Sequence, residues 1–380
     1  MQAQRRSDFL RAGVASALVA ASGAPALAAL SYRKPAGWDA LVAAAHQEGA
    51  LMIYLPEGDE YEAALVTRFQ RAYPAIRVET AINSGGGQSR LLVERTAGRY
   101  IPDIWVTGST IALLTLKPAG ALAPLEPLLM LPEVLDRAAW AQNMLWWNDA
   151  QQPYTNISFA GLLLPPAYVN TTLVKPSAFK SYWDLADPKW RGKIASTDLR
   201  TIGPGSVPAS FIYRSPKLGL PWFQRFFGTL DVVLSRSQRQ LVDWCVQGQY
   251  PIVAFISATE AFTAMNQGLP IEQIALDQLK EGGAVGPNTG AISVIKPTPH
   301  PNAAKLYLNW LLSRDGQLAW QEETKQASLR VDTPKDGLYL AYQRKAGIAY
   351  ANGGAEEYGL AAAALKDVIN GILDKSAKSP

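Results

Sequence analysis

The chain has 380 residues, of which 48% are hydrophobic and 18% charged, so it is globular and long enough to form two hydrophobic cores. Its formal net charge of +4 falls to +2 without residues 1–28, which carry three arginines and one aspartate. So small a charge argues against nucleic acid as a partner. The single cysteine, Cys245, excludes an internal disulfide and is interpreted as a buried structural thiol.

The N-terminal segment has the pattern of an export signal. Arg5-Arg6 lies in a positive head, residues 12–24 form a weakly apolar run, and Ala26-Leu27-Ala28 is a small-x-small cleavage site. We therefore predict that residues 1–28 are cleaved and that the mature protein is periplasmic. The arginine pair leaves the twin-arginine and the general secretory routes both open.

The first half of the mature chain alternates helical and extended patterns. A helix at 38–48 precedes a strand at 51–55, an amphipathic helix at 60–73, a strand at 76–80, a helix after Gln88 and a strand at 103–106. This rhythm predicts a parallel-type sheet covered by helices on both faces, an α/β fold.

The second half repeats the rhythm after a break at Tyr168–Pro176, where the chain is expected to cross into a second lobe. The predicted elements there are strands at 193–196, 232–234 and 251–256, and helices at 206–213, 221–227, 238–246 and 260–267. The glycine-rich segment at 282–288 and the strand at 290–295 are interpreted as the return crossing. The helices from there to about Leu373 are expected to pack back onto the first lobe.

Two crossings between two α/β lobes predict a hinge that closes on a ligand in the cleft. The domain boundaries that follow are an export signal at 1–28, lobe 1 at 29–170 plus 290–380, and lobe 2 at 171–289.

Catalytic and metal chemistry find little support. The only histidines, His46 and His300, are far apart in the sequence, so neither a clustered zinc site nor a Ser-His-Asp arrangement is easy to assemble. No catalytic residue, metal site or cofactor is predicted. A periplasmic enzyme using Glu57 or Glu260 as a general base is a weaker alternative.

Loops that follow strands are the better candidates for ligand contact, because ligands collect at the carboxyl ends of strands in open α/β sheets. The predicted ligand-binding residues are Tyr54, Glu57, Ser84, Gly85, Gly86, Ser109, Asn170, Arg200, Gly205, Ser206, Arg236, Ser257, Thr259 and Glu260.

Several of these loops lead into helix starts, where free backbone N–H groups and the helix dipole favour an anion. The sharpest case is Gly203–Ser206, with Arg200 and Arg236 as possible neighbours of Ser206. The alternative is that Ser206 only caps its helix and that the arginines are solvated. Gly85–Gly87 lacks the lysine and glycine spacings of nucleotide-binding loops. It indicates at most that a ligand approaches the backbone closely there.

Six segments carry a resemblance to a known family. They are Leu51–Tyr54, Tyr168–Val174, Tyr182–Ile194, Gly248–Ile256, Pro299–Lys305 and Asn309–Leu312. With the export signal, they resemble extracellular solute-binding proteins of ABC transporters, in the group of ferric-iron, thiamine, sugar-phosphate, phosphonate and polyamine binders. The resemblance implies a two-lobed periplasmic binding fold of type 2 with two crossing strands as hinge. It also implies delivery of a small molecule to an inner-membrane ABC permease without catalysis. The protein is expected to be a monomer.

One departure from the iron binders affects the expected ligand. Ferric members place two adjacent tyrosines just after the strand that here is Ile252–Ile256, where this chain has Thr259-Glu260. The histidine that they often carry after the first strand is absent, and Glu57 lies in that region. The expected ligand is therefore a small organic solute. Ser206 falls where those members bring an anion to a helix start, which makes an anionic group plausible. Ferric or other metal-ion binding is the alternative.

Overall fold

The computed structural model describes residues 32–201, 203–338, 344–345 and 347–376. The predicted export signal at 1–28 lies outside the described residues. The strands are β1 Ala50–Leu55, β2 Arg77–Ile82, β3 Ile104–Thr107, β4 Ile157–Ser158, β5 Leu162–Leu163, β6 Ala167–Asn170, β7 Ile194–Thr197, β8 Val233–Ser235, β9 Ile252–Ala254, β10 Ile271–Gln273, β11 Ala284–Gly286, β12 Ala291–Val294 and β13 Ala351–Asn352.

The α-helices are α1 Trp38–Glu48, α2 Asp59–Glu62, α3 Arg68–Ala72, α4 Gly87–Thr96, α5 Ser109–Ile111, α6 Pro132–Leu135, α7 Tyr182–Leu185, α8 Ser206–Arg214, α9 Gly219–Thr229, α10 Gln238–Val246, α11 Ala258–Asn266, α12 Pro301–Leu312, α13 Arg314–Thr324 and α14 Glu356–Ser376. π-Helical turns at Ala63–Thr67 and Ala112–Leu116 continue the helices before them, and 3₁₀ turns lie at Glu126–Leu128, Arg137–Ala139, Ala141–Asn143, Pro176–Ala178, Pro188–Trp190 and Leu276–Gln278.

Two five-stranded sheets carry the described part of the chain. The first has the order β2-β1-β3-β12-β4, with β1 parallel to β2 and β3 and with β12 antiparallel to both of its neighbours. The second has the order β10-β6-β9-β7-β8, in which β7 is parallel to β8 and β9. Both sheets are flanked by helices with apolar inner faces, which confirms the predicted α/β class.

A third, three-stranded sheet lies where the chain passes between the other two. Strands β5 and β11 pair antiparallel, with Leu163 opposite Val285, and β13 pairs parallel to β11. Strand β5 comes between β4 of the first sheet and β6 of the second, and β11 comes between β10 and β12. The chain thus crosses twice, as the sequence predicted, and β11 lies in the glycine-rich segment that was interpreted as the return crossing.

The outward crossing occurs earlier than the predicted stretch at Tyr168–Pro176. Strand β6 already belongs to the second sheet, where Tyr168 pairs with Val253 and Gln273. Strands β4 and β6 are both buried along their whole length, so hydrophobicity alone did not show which sheet each one joins. The lobe boundaries at 170 and 290 stay a prediction.

Helix α14 corrects the expectation that every C-terminal helix packs onto the first lobe. Helices α12 and α13 do so, against α1 and the turn at 63–67, but α14 packs mainly on α8 and α9 beside the second sheet. Its other contacts are with the helical segment that begins at Ser109. At its start, Glu356 accepts hydrogen bonds from Lys117 Nζ at 2.8 Å and from the Ala150 N–H at 3.1 Å. Helical periodicity shows that α14 is amphipathic, whereas its packing partner depends on tertiary structure.

Candidate ligand-binding site

A cavity of about 330 Å³ lies where the two large sheets and the crossing strands meet. It is lined by Gly108, Ser109, Thr110, Leu162, Leu164, Gly203, Pro204, Gly205, Val207, Pro208, Ile256, Ser257, Ala258, Thr259, Gly286, Pro287, Asn288 and Gly353. The loop after β3 supplies one wall, and the loops after β7 and β9 supply the opposite wall. The cavity is therefore formed at the carboxyl ends of strands from both sheets.

The turn from β9 into α11 is held in an unusual backbone conformation. Phe255 has φ 58°, a left-handed value that a bulky side chain rarely adopts. Its ring is buried and lies edge-on to Trp222 and Phe226 at 6.1 Å from each centroid. These aromatic contacts support the strained turn, which directs the start of α11 into the cavity.

The start of α8 packs directly against that turn. Gly205 precedes α8 with φ 82°, and a Cβ built on it would lie 2.3 Å from the Phe255 carbonyl oxygen. Only glycine fits so close to the backbone in this conformation. The two helix starts are thus locked together at one end of the cavity.

Backbone N–H groups at these helix starts are left without acceptors. Among the described residues, none accepts a hydrogen bond from the N–H of Val207 at the start of α8, or from those of Ala258 and Thr259 at the start of α11. The Ser257 hydroxyl does not cap α11, and the Ser257 N–H donates to Gln238 Oε1 at 2.7 Å. Free donors and the positive ends of two helix dipoles therefore meet in one place.

The first sheet contributes a third helix start. Ser109 begins the helical segment that continues to Leu116, and its side chain is 5% exposed. The preceding Gly108 lies against the return crossing, since a Cβ on it would be 2.8 Å from the Asn288 carbonyl oxygen. This contact ties the first-sheet wall to the hinge.

No charged side chain lines this cavity, within the part of the chain that the structure describes. The polar side chains are those of Ser109, Thr110, Ser257, Thr259 and Asn288, and the remaining lining is apolar or glycine. No cluster of three His, Cys, Asp or Glu residues suited to a metal ion occurs among the described residues. The lining offers hydrogen-bond donors, positive helix ends and apolar surface, a combination that suits an anionic group on an apolar or hydroxylated body.

Four of the predicted ligand-binding residues line the cavity: Ser109, Gly205, Ser257 and Thr259. They come from three loops far apart in sequence, so the structure does bring these loops together. Ser206, Glu260 and the other predicted residues lie outside the lining. Ser206 Oγ accepts from the Gly203 N–H at 2.9 Å and closes the turn before α8. Glu260 lies half-buried one residue beyond Thr259.

The other predicted residues of the first sheet lie elsewhere. The Tyr54 ring is buried under the Arg90 guanidinium at 4.7 Å and its hydroxyl faces Glu94. Glu57, Ser84 and Gly85 are exposed and Gly86 is half-buried, all outside the cavity lining. In the second sheet, the Asn170 side chain donates to the Cys245 and Val246 carbonyls at the end of α10, which is a structural contact.

Arg200 and Arg236 are both occupied by one carboxylate. Asp198 is 3% exposed and lies between them, accepting from Arg200 Nε at 2.7 Å and from Arg236 Nε at 3.1 Å. These hydrogen bonds, the one from Arg200 foremost, lower the pKa of Asp198 from 3.8 to about 2. The guanidinium groups stabilise the loop after β7, which carries the cavity residues 203–208.

We expect Asp198→Asn to lower the free energy of unfolding at neutral pH and to change its acid dependence. A depressed carboxylate pKa stabilises the fold above about pH 4, and that stability is lost as pH falls towards the folded-state pKa near 2. The gap between wild type and variant in urea unfolding should therefore be constant above about pH 5 and shrink below pH 4. Asp243→Asn, at a half-exposed aspartate on α10, is the control. A gap that stays constant down to pH 2 would contradict the assignment.

Sequence reasoning missed the apolar part of the lining and the residues of the hinge. Leu162 lies in the outward crossing strand β5 and Leu164 follows it, Pro287 and Asn288 follow the return crossing, and Gly353 follows β13. The glycine-rich segment at 282–288 carried a usable signal, because it was recognised as a crossing. The sequence around Gly353 carried no such signal, since only the pairing of β13 with β11 brings Gly353 to the cavity.

Comparisons with solved structures identify the class of fold. A Trichodesmium protein, IdiA or FutA, solved with iron and citrate, is 19% identical with a TM-score of 0.66, covering 87% of this chain and 100% of its own. Iron-bound HitA from Pseudomonas aeruginosa is 17% identical with a TM-score of 0.61, over 84% and 99%. AfuA from Actinobacillus pleuropneumoniae, solved with fructose-6-phosphate, is 17% identical with a TM-score of 0.56, over 87% and 99%. The chain thus has the two-lobed fold of periplasmic binding proteins.

The family follows from the sequence match. Residues 60–323 match the family of bacterial extracellular solute-binding proteins, and the chain belongs to that family. Its members are binding proteins that carry small-molecule ligands to ABC permeases. No curated protein sequence matches the chain. None of the helices in the described residues is both long and apolar enough to span a membrane.

Proposed function

We propose that this protein is the periplasmic solute-binding component of an ABC importer and captures a small organic anion in the cavity between the two sheets. Hinge movement at β5 and β11 would close the sheets over the ligand, and the closed form would deliver it to the membrane permease. One observation carries the proposal. The N-terminal ends of α8 and α11, each a helix of nine residues, meet with free N–H groups in a cavity that no charged side chain of the described residues lines.

The volume of the cavity limits the ligand. About 330 Å³ is at the lower end of the range for small-molecule sites, so the ligand is a compact metabolite. A carboxylate or a phosphate group would accept hydrogen bonds from the N–H groups of Val207, Ala258 and Thr259. Leu162, Leu164 and the serine and threonine hydroxyls would then contact its body. AfuA, with its sugar phosphate, is a structural neighbour whose ligand belongs to this class.

Ferric-iron binding is the second candidate, because two of the similar structures contain iron. The cavity lining has hydroxyl and amide oxygens but no carboxylate, phenolate or imidazole among the described residues, and these are the groups that bind hard cations tightly. Iron would have to enter as an anionic chelate such as ferric citrate. The described lining of this cavity has no side chain that could act as a general acid or base, so the proposed role is binding alone.

Export, oligomeric state and other partners remain predictions. The arginine-containing segment at 1–28 and membership of an extracellular family support a periplasmic location, with either export route. The protein is expected to act as a monomer and to have no nucleic-acid partner, in keeping with its low net charge.

A thermal-unfolding screen tests the proposal. Mature protein, residues 29–380, is unfolded and refolded to remove carried-over ligand and is mixed with carboxylates, sugar phosphates, phosphonates, polyamines, thiamine, citrate and ferric citrate. A ligand at about 100 times its dissociation constant should stabilise the fold by about 2.7 kcal/mol. We expect a shift with at least one organic anion and none with polyamines or thiamine. A shift with ferric citrate but not with citrate would favour the iron alternative, and a shift with cations alone would contradict the proposal.

A further inference from the structure

A second and larger cavity lies apart from the one between the sheets. Its volume is about 740 Å³, and it shares no lining residue with the first cavity. Ala141, Val331, Ile348 and Tyr350 give it mainly apolar walls. The lining also has three basic residues, Lys335, Arg344 and Lys345, and no acidic residue is part of it within the described chain.

Arg344 is the cation that lacks a counter-ion. Its Nη2 donates to the Ser328 carbonyl oxygen at 2.8 Å, whereas its Nη1 is buried without a hydrogen-bond partner. No carboxylate of the described residues forms an ion pair with it. Burial lowers the pKa of Arg344 to about 10, which reflects the cost of a poorly compensated charge. An unsatisfied buried donor on a charged group is costly, so the group is suited to receive an anion.

The neighbouring cation is fixed in place. Lys335 Nζ donates to the Arg330 carbonyl at 2.9 Å and to Thr333 Oγ1 at 2.6 Å. Burial, followed by the charge of Arg344, lowers the pKa of Lys335 to about 6, while the charge of Asp332 opposes this shift. Arg344 therefore lies close enough to Lys335 to disfavour its protonation, and an anion between the two groups would offset that effect.

A smaller cavity that also borders Arg344 adds a polar group. This cavity of about 220 Å³ is lined by Arg344, Lys345 and Tyr350 together with Gln273, whose Oε1 is also buried without a partner. The side-chain amide of a glutamine can be turned by 180° without changing its shape, which would present Nε2 as a donor. Gln273 would then offer a further donor in the smaller cavity that borders Arg344.

We propose that the cavity of about 740 Å³ is a second binding site. It takes a carboxylate attached to an apolar body, such as an aromatic or medium-chain aliphatic acid. The planar guanidinium of Arg344 binds the carboxylate in a two-point contact, and Ala141, Val331 and Ile348 cover the apolar body. The site does not depend on the identity of the ligand between the sheets, because the two cavities have separate linings.

Isothermal titration of refolded mature protein with octanoate, benzoate and inorganic phosphate tests this site. We expect octanoate or benzoate to bind, and Arg344→Gln to weaken that binding by roughly 10- to 100-fold, the loss typical of a charge-assisted hydrogen bond. Arg239→Gln removes the same charge from an exposed ion pair outside the cavity and should leave binding unchanged. Thr259→Trp, which obstructs the cavity between the sheets, should leave it unchanged as well.

Stability separates loss of the site from loss of the fold. Arg344→Gln removes a buried charge without an ion-pair partner, so without ligand the variant should unfold at the same temperature as wild type or higher. If it is less stable, Lys335→Met provides the second variant. The proposal is overturned if neither carboxylate binds wild type, if Arg344→Gln binds them as tightly, or if Thr259→Trp abolishes the binding. Binding of phosphate alone would overturn the ligand class.

Discussion

Thr259→Trp is expected to weaken ligand binding between the sheets by about 100-fold or more while leaving the fold intact. Thr259 lies in the first turn of α11 and lines the cavity, yet its side chain is exposed. An indole there would occupy the mouth of a cavity of about 330 Å³ and cover the free N–H groups of Ala258 and Thr259. Since exposed substitutions change stability by about 0.5 kcal/mol or less, the loss would be specific to binding.

Thr263→Trp is the matched control for this prediction. Thr263 is one helical turn further along α11, equally exposed, and outside the cavity lining. The measurement is the thermal shift given by the anion that stabilises wild type most. Equal shifts in the two variants and wild type would show that the ligand binds elsewhere, whereas lower stability of both variants without ligand would show a general effect on α11.

Gly205→Ala should have the largest effect on stability. The φ of 82° costs an alanine of order 1 kcal/mol or more, and the new Cβ would meet the Phe255 carbonyl oxygen at 2.3 Å and Cβ at 2.4 Å. Because a change of side-chain rotamer cannot move backbone or Cβ atoms, this clash is removed only if the starts of α8 and α11 move apart. We expect the free energy of unfolding in urea to fall by about 2–4 kcal/mol, and ligand affinity to fall with it.

Gly203→Ala tests whether that effect is due to packing or to the loop itself. Gly203 lines the same cavity two residues earlier, and a Cβ on it would have no neighbour within 4 Å. Its substitution should change stability by about 0.5 kcal/mol or less. If both variants lose the same stability, the contact between Gly205 and Phe255 does not lock the helix starts together.

The elements that were predicted well are those with strong local periodicity. Helix α10 was predicted at 238–246 and is observed at Gln238–Val246, and α1 likewise has its predicted bounds. Both have apolar residues at helical spacing and clear ends, Gly49 after α1 and Ser237 before α10. The glycine-rich return crossing was also found, because glycine punctuates the pattern on either side of it.

The residues of the candidate site could be predicted only in part from the sequence. Strand-end reasoning found Ser109, Gly205, Ser257 and Thr259, because each follows a strand that the hydrophobic pattern predicts. It also selected Arg200 and Arg236, whose chemistry suits an anion. Their pairing with buried Asp198 depends on how two neighbouring loops pack, and no spacing in the sequence encodes it.

The sequence by itself determined the α/β class, the alternation of strands and helices and the family resemblance, because side-chain periodicity and turn residues act over a few neighbouring positions. Only the tertiary structure decided that the chain crosses at β5, that α14 packs on α8 and α9, and that Arg344 Nη1 is buried without a hydrogen-bond partner. Each of these depends on contacts between segments far apart in the chain. Burial and the pairing of charges arise from such contacts, so local pattern carries little information about them.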